Sequence, residues 1–211
     1  MTNNPGLVIA APASGSGKTV LTLGLLRHLA SSGRNVASAK AGPDYIDPAF
    51  HAAATGRLCC NLDPWAMRPE SLRFCAALSA TTAELILTEG VMGLFDGAAD
   101  GTGSTADLAA AFGWPVILVV DVKGQSDSAA AVLRGFATHR SDITVAGVIF
   151  NRVGRGRHGD MLRRAMARHL PQIPVLGCLP VDAALTVPSR HLGLVQAREN
   201  PVEGIVQINQ Y

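Results

Sequence analysis

The sequence predicts an α/β fold, a mostly parallel sheet flanked by helices on both faces. Short apolar runs and amphipathic stretches alternate along the chain, which is the rhythm of strand–helix–strand units. One run, Val116–Val120, is apolar throughout, as a central parallel strand covered on both faces should be. Of the 211 residues 48% are hydrophobic and 16% charged, enough apolar side chain to build the core of one large domain.

Taken in order, Leu7–Ala11 reads as the first strand. Lys18–Ser32 follows as an amphipathic helix, because Leu21, Leu25 and Leu29 recur one turn apart. Gly33 is its stop signal. Val36–Ala39 reads as a second strand, Glu70–Ala80 as a helix and Leu85–Thr88 as a third strand. Val116–Val120 is next, then a helix over Ser126–His139 and a strand over Val145–Phe150. A helix over Met161–Leu170 and a strand over Val175–Cys178 complete the pattern, which decays after Pro188.

Composition excludes several classes. Eighteen Lys+Arg against sixteen Asp+Glu leave a net charge of +2, too little to drive binding to nucleic acid or to a membrane surface. Aromatics are 5%, against a stacking platform for single strands. No apolar run approaches the roughly 18 residues of a membrane span. Cys59, Cys60, Cys75 and Cys178 show no C-x-x-C spacing, so they read as buried, reduced thiols. The arginines of 152–168 read as a solvated helix face. His28, His139 and His169 read as surface or cap residues, and His158, near Asn151 in sequence, is a weaker candidate to lie close to nucleotide.

Pro12-Ala13-Ser14-Gly15-Ser16-Gly17-Lys18-Thr19 joins the first strand to the first helix. Glycines there let backbone N–H groups turn toward phosphate oxygens, at the positive end of a helix. Ser14, Gly15, Ser16, Gly17, Lys18, Thr19 and Val20 are the candidate nucleotide contacts. Lys18 would serve the β- and γ-phosphates and Thr19 a Mg²⁺ ion. Pro12 stands where the common pattern has glycine, so the turn begins differently.

Two acidic segments follow strands. Gly42-Pro43-Asp44-Tyr45-Ile46-Asp47-Pro48 holds two carboxylates on a stiff loop, open both to metal ligation and to an Asx-turn. Glu89-Gly90-Val91-Met92-Gly93-Leu94-Phe95-Asp96-Gly97 places Glu89 at the end of the third strand, where a second Mg²⁺ ligand is expected.

With Ala11–Thr19 and Pro188-Ser189-Arg190-His191-Leu192-Gly193-Leu194, these segments resemble cobyrinic or hydrogenobyrinic acid a,c-diamide synthases. The wider relatives are phosphate-loop proteins of the dethiobiotin synthetase type. The resemblance implies ATP-dependent amidation of corrinoid a and c acetates through an acyl phosphate, in cobalamin biosynthesis in the cytoplasm. It implies Lys18, Asp44, Tyr45 and Asp96 in catalysis, with Ile46 beside them, and Thr19, Asp44 and Glu89 on Mg²⁺. Asn151 and Arg152 match a pair lying against adenine, and Ser189, Arg190 and His191 are assigned to nucleotide or domain contacts. ATP and Mg²⁺ are the implied cofactors. A corrinoid and ammonia, or a separate glutaminase domain, are the implied partners, with a homodimer expected and neither nucleic acid nor membrane.

Residues 1–197 are expected to form the synthetase domain and 198–211 a tail or linker. No cysteine sits in a Gly-x-Cys-x-Gly setting, so the glutamine amidotransferase domain is expected to be absent. The alternative is a non-catalytic or partition-type nucleotide-dependent switch ATPase, the partition type being disfavoured because no lysine precedes Lys18 in the loop. Nickel-sirohydrochlorin a,c-diamide synthases share the motifs, so the choice of tetrapyrrole stays open in the sequence.

Overall fold

The computed structural model describes residues 5–182 and the backbone of Ser189–Arg190 and Gly193–Leu194. The strands are β1 (Gly6–Ala10), β2 (Val36–Ala41), β3 (Cys60–Leu62), β4 (Leu85–Glu89), β5 (Val116–Asp121), β6 (Val145–Val153) and β7 (Val175–Pro180). The helices are α1 (Lys18–Ser31), α2 (Asp47–Thr55), α3 (Pro69–Ala80), α4 (Thr105–Phe112), α5 (Asp127–Thr138) and α6 (His158–His169). The seven strands form one parallel sheet in the order β3-β2-β4-β1-β5-β6-β7. Two short strands, β8 (Ser189–Arg190) and β9 (Gly193–Leu194), pair antiparallel on their own. His191, the side chains of Ser189 and Arg190, and residues 198–211 lie outside the described part.

Alternation along each strand feeds two cores, because successive side chains point to opposite faces. Val8 and Ala10 of β1, with Val116, Leu118 and Val120 of β5, pack with α3, α4, α5 and α6. Ile9, Ala11, Leu87 and Val119 pack on the other face with Leu23 and Leu26 of α1 and Ala54 of α2. Burying a side chain such as Leu26 or Leu118, both fully inaccessible, contributes about 1.5–3 kcal/mol. Backbone approach at the edge of this packing excludes side chains. A Cβ on Gly6 would sit 2.1 Å from the Trp114 ring.

The expected elements are all present, within three residues at each end. Besides the short β8 and β9, three more were not legible. Helix α2 starts at Asp47-Pro48, a pair that reads as stiff loop. Proline at the first turn in fact suits a helix, where its missing N–H is no loss. Asp44 completes the start, its Oδ1 accepting from the Ile46 and Asp47 N–H groups at 2.8 and 3.1 Å. Strand β3 has three residues, too few to show a period. Helix α4 follows a glycine-rich loop and begins with a capping box between Ser104 and Asp107.

The four cysteines are unpaired, as expected, but partly rather than fully buried. Arg155, Arg157, Arg163, Arg164 and Arg168 are exposed along α6 and the loop before it. His28, His139 and His169 are exposed as well. Among the described residues, no helix is long and apolar enough to cross a membrane.

Candidate functional site

In an open parallel sheet ligands sit beyond the carboxyl ends of the strands, and the sequence motifs converge there. The turn from Pro12 to Gly17 joins β1 to α1. Gly15 and Gly17 have φ of 77° and 95°, left-handed values that glycine adopts without strain. Gly17 has a second constraint, since a Cβ there would lie 2.2 Å from Asn151 Nδ2. Asn151 instead donates to the Ser16 carbonyl at 2.9 Å.

The loop after β4 passes directly beneath this turn. Gly90 N–H donates to the Ile9 carbonyl and Leu94 N–H to the Ala11 carbonyl, each at 2.8 Å. Such closeness requires Gly93, where a Cβ would meet the Pro12 carbonyl at 2.6 Å. Thr105 of α4 pins the same loop, its hydroxyl within hydrogen-bonding distance of both Val91 N and O. Lys18 is thereby drawn to the Met92 carbonyl at 2.5 Å. Met92 itself is left-handed, with φ 47°.

Glu89, fully buried at the end of β4, is the hub. Its Oε1 accepts from the Thr19 hydroxyl at 2.5 Å and lies 3.1 Å from Lys40 Nζ. Its Oε2 lies 2.8 Å from His51 Nε2. Lys40, at the end of β2, also bonds Asp47 at 2.6 Å and approaches Asp44 Oδ2 at 3.9 Å. Three carboxylates therefore face one buried ammonium.

Glu89, Lys40, Asp47 and Lys18 are shifted by their surroundings. Burial pushes Glu89 up, but the His51 hydrogen bond, Lys40 and Thr19 outweigh it and hold the carboxyl below its ordinary range. Burial likewise opposes the charge on Lys40, yet Glu89 and Asp47 raise it overall. Asp47 is raised by burial and by the Glu89 charge. Lys18 is lowered, chiefly by burial.

The donor set suits an oxygen-preferring divalent cation. A hydroxyl and a carboxylate already touch beside the phosphate turn, and the surrounding acids outnumber the lysine. Among the described residues, no group of three or more His, Cys, Asp or Glu is arranged to hold a metal by itself. Mg²⁺ takes one or two protein oxygens and completes its shell with phosphates and water, and the Thr19 hydroxyl and Glu89 carboxylate are oxygen donors of that kind.

The candidate residues divide around this hub. Thr19, Asp44 and Glu89 belong to the connected cluster, and Lys18 is bonded beside it to the Met92 carbonyl. Asp44 makes the Asx-turn with Oδ1, and its Oδ2 faces Lys40. Tyr45 is 80% exposed on the rim. Asp96 is also exposed and accepts from Gly93 N–H at 2.9 Å.

Asn151 and Arg152 lie on the other side of the turn, at the end of β6. Arg152 has φ 56° and ties the Gly15 carbonyl to Asp121. His158 does not point to the phosphate turn: it bridges Gln125 O and Gly154 N. On this side a cleft of about 310 Å³ opens, lined by residues that include Pro12–Ser16, Asp121, Lys123 and Gln125.

Lys40, Asp47 and His51 matter more than their sequence motifs suggested. One signal was available for Lys40, a lysine inside a strand whose six positions are all buried, which demands partners. For His51 there was none, because α2 itself was not legible.

Comparison with known proteins places this geometry in a family. A hydrogenobyrinate a,c-diamide synthase of Rhizobium meliloti (strain 1021) is 60% identical over 195 residues, covering 92% of this chain and 45% of that protein. The synthase of the same name from Rhodobacter capsulatus is 56% identical over 198 residues, again covering 92% and 45%. The chain thus spans less than half the length of these curated relatives.

Among solved structures, the signal recognition particle receptor FtsY from Elizabethkingia anophelis superposes with a TM-score of 0.59 at 15% identity, over 99% of this chain and 66% of that one. The hydrogenase maturation factor HypB from Archaeoglobus fulgidus gives 0.52 at 13% identity, over 84% and 82%. At that identity the likeness is one of fold, the phosphate-loop α/β class. Residues 7–195 match the family model described as CobQ/CobB/MinD/ParA nucleotide binding domain. The chain belongs to that nucleotide-binding family.

Proposed function

We propose that this chain is the ATP-dependent activating domain of a hydrogenobyrinate or cobyrinate a,c-diamide synthase, with residues 1–197 forming the synthetase unit. The observation that carries the reading is the contact of Thr19, Glu89 and Lys40 beside the phosphate turn. Two relatives above 55% identity named for this amidation support it.

In this reading the acetate carboxylate attacks the γ-phosphorus of ATP, and the bond to the β-phosphate oxygen breaks to release ADP. Ammonia then adds to the acyl carbon and loses a proton as phosphate departs. Amide forms at the c and a positions in turn, with ammonia supplied free or by a glutaminase domain. The transition state of the first step spreads charge over phosphoryl oxygens, so positioning and electrostatics supply the catalysis. Backbone N–H groups of Ser14–Thr19 and the Lys18 ammonium hold the phosphates. Mg²⁺, held by Thr19 and Glu89, would neutralise developing charge. Asn151 and Arg152 flank the nucleoside. Tyr45 and Asp96, on exposed loops at the same edge, orient the corrinoid acid.

Mass spectrometry of hydrogenobyrinic acid incubated with the chain, ATP, Mg²⁺ and ammonium tests this. Two successive replacements of acid by amide are expected, with one ADP for each. Lys18→Ala should cut the rate by about a thousandfold. Nucleotide turnover that ignores every tetrapyrrole acid and responds to a protein or DNA partner would overturn the reading in favour of a switch ATPase.

A further inference from the structure

We propose that His51 is a positioning residue: it holds the Glu89 carboxylate in the orientation that the nucleotide-bound cation needs, and Cys59 fixes which ring nitrogen carries the proton. This rests on the reading of Glu89 as a cation ligand.

His51 is completely inaccessible, on the buried face of α2. A polar ring is costly to bury unless its nitrogens are bonded, and both are. Nε2 lies 2.8 Å from Glu89 Oε2, and Nδ1 lies 3.5 Å from Cys59 Sγ. A carboxylate only accepts, so Nε2 carries the proton. In the neutral ring Nδ1 then accepts, and its partner must donate. Cys59 can do so, because burial pushes its thiol up to about 12, which keeps the S–H in place. The thiol's other neighbours are the Cys60 carbonyl, farther away at 3.8 Å, and the Ser38 hydroxyl.

The arrangement separates two tasks on one carboxylate. Oε1 meets Thr19 and Lys40, the side where a cation would displace existing contacts. Oε2 meets His51 alone among the side chains recorded around Glu89. The His51 contact therefore survives cation binding and sets the plane of the carboxylate while the other contacts change. Outer partners of this kind commonly alter metal affinity 10–100-fold when removed.

Two isosteric variants separate positioning from packing. The Gln amide nitrogen falls near the place of Nε2, and the Asn nitrogen near that of Nδ1. Binding of a non-hydrolysable ATP analogue is measured with Mg²⁺ and with EDTA. His51→Gln should keep most of the affinity gained on adding Mg²⁺. His51→Asn should lose about tenfold of it, with binding in EDTA unchanged. Cys59→Ala should show a smaller loss in the same direction, and Cys59→Ser none.

Equal Mg²⁺ gains in the Gln and Asn variants would overturn the proposal. Glu89→Gln distinguishes the levels. If it keeps the native gain, the cation-ligand reading falls and this inference with it. If it loses the gain while Gln and Asn at position 51 behave alike, only the role of His51 falls.

Discussion

On the β4 side of the phosphate turn the polar side chains are buried and bonded mainly to one another. On the β5 and β6 side they are more exposed and bonded largely to backbone. Lys40, Asp47, His51 and Glu89 are each under 8% accessible and form one connected set. Across the turn, Asn151, Arg152 and His158 reach the carbonyls of Ser16, Gly15 and Gln125 around an open cleft. Buried charges persist only with their partners in place, so the first side fixes its geometry before any ligand arrives. The second can exchange its contacts for a ligand at little cost. In the proposed function this difference puts chemistry on one flank and nucleoside binding on the other.

The harshest way to break that contrast is Lys40→Met, which leaves Asp47 and Glu89 buried without their cation. Chemical denaturation should show a loss of about 3–5 kcal/mol. A loss below 1 kcal/mol would mean the cluster is wetter than its burial implies.

Asp96→Asn sharpens the contrast from the loop. The Asn oxygen can still accept from Gly93 N–H, so nucleotide affinity should hold while amide formation drops about a hundredfold. Equal loss of both would move Asp96 to the phosphate site.

On the open flank, Asn151→Ala removes a single hydrogen bond to the turn. Titration with an ATP analogue should show roughly tenfold weaker binding, with kcat at saturating ATP little changed. A kcat effect larger than the affinity effect would erase the division of labour.

Acid gives the smallest and most graded effect. The folded pKa of Glu89 lies below its ordinary 4.5, so its stabilising contribution is present above that value. It is lost as pH falls through the folded pKa. Thermal melts of nucleotide-free protein should therefore steepen below about pH 4.5, and Glu89→Gln should flatten that decline. Lys40 runs the opposite way. Its pKa is raised above 10.5, so its contribution fades only in strong alkali.

How much of this was legible in the sequence follows from range. Strands and helices with a full period of apolar residues, such as Val116–Asp121 and Lys18–Ser31, announce themselves locally. The phosphate turn does too, because its glycines and lysine are contiguous. Helix α2 was hidden since its start looks like a loop, and with it His51. The joining of Lys40 to Glu89 spans 49 positions and depends on β2 and β4 being neighbours in the sheet. No local pattern encodes that order. Asp44 and Glu89 were identified one at a time, and only the strand order brings them onto the same lysine.

The most direct test of the central claim is a crystal structure of the chain with a non-hydrolysable ATP analogue and Mn²⁺ in place of Mg²⁺, located by its anomalous signal. The ion is expected between the Thr19 hydroxyl and the Glu89 carboxylate, with His51 still on Oε2 and Lys18 turned from the Met92 carbonyl to phosphate. An ion bound elsewhere, with Thr19 still donating to Glu89, would contradict that claim.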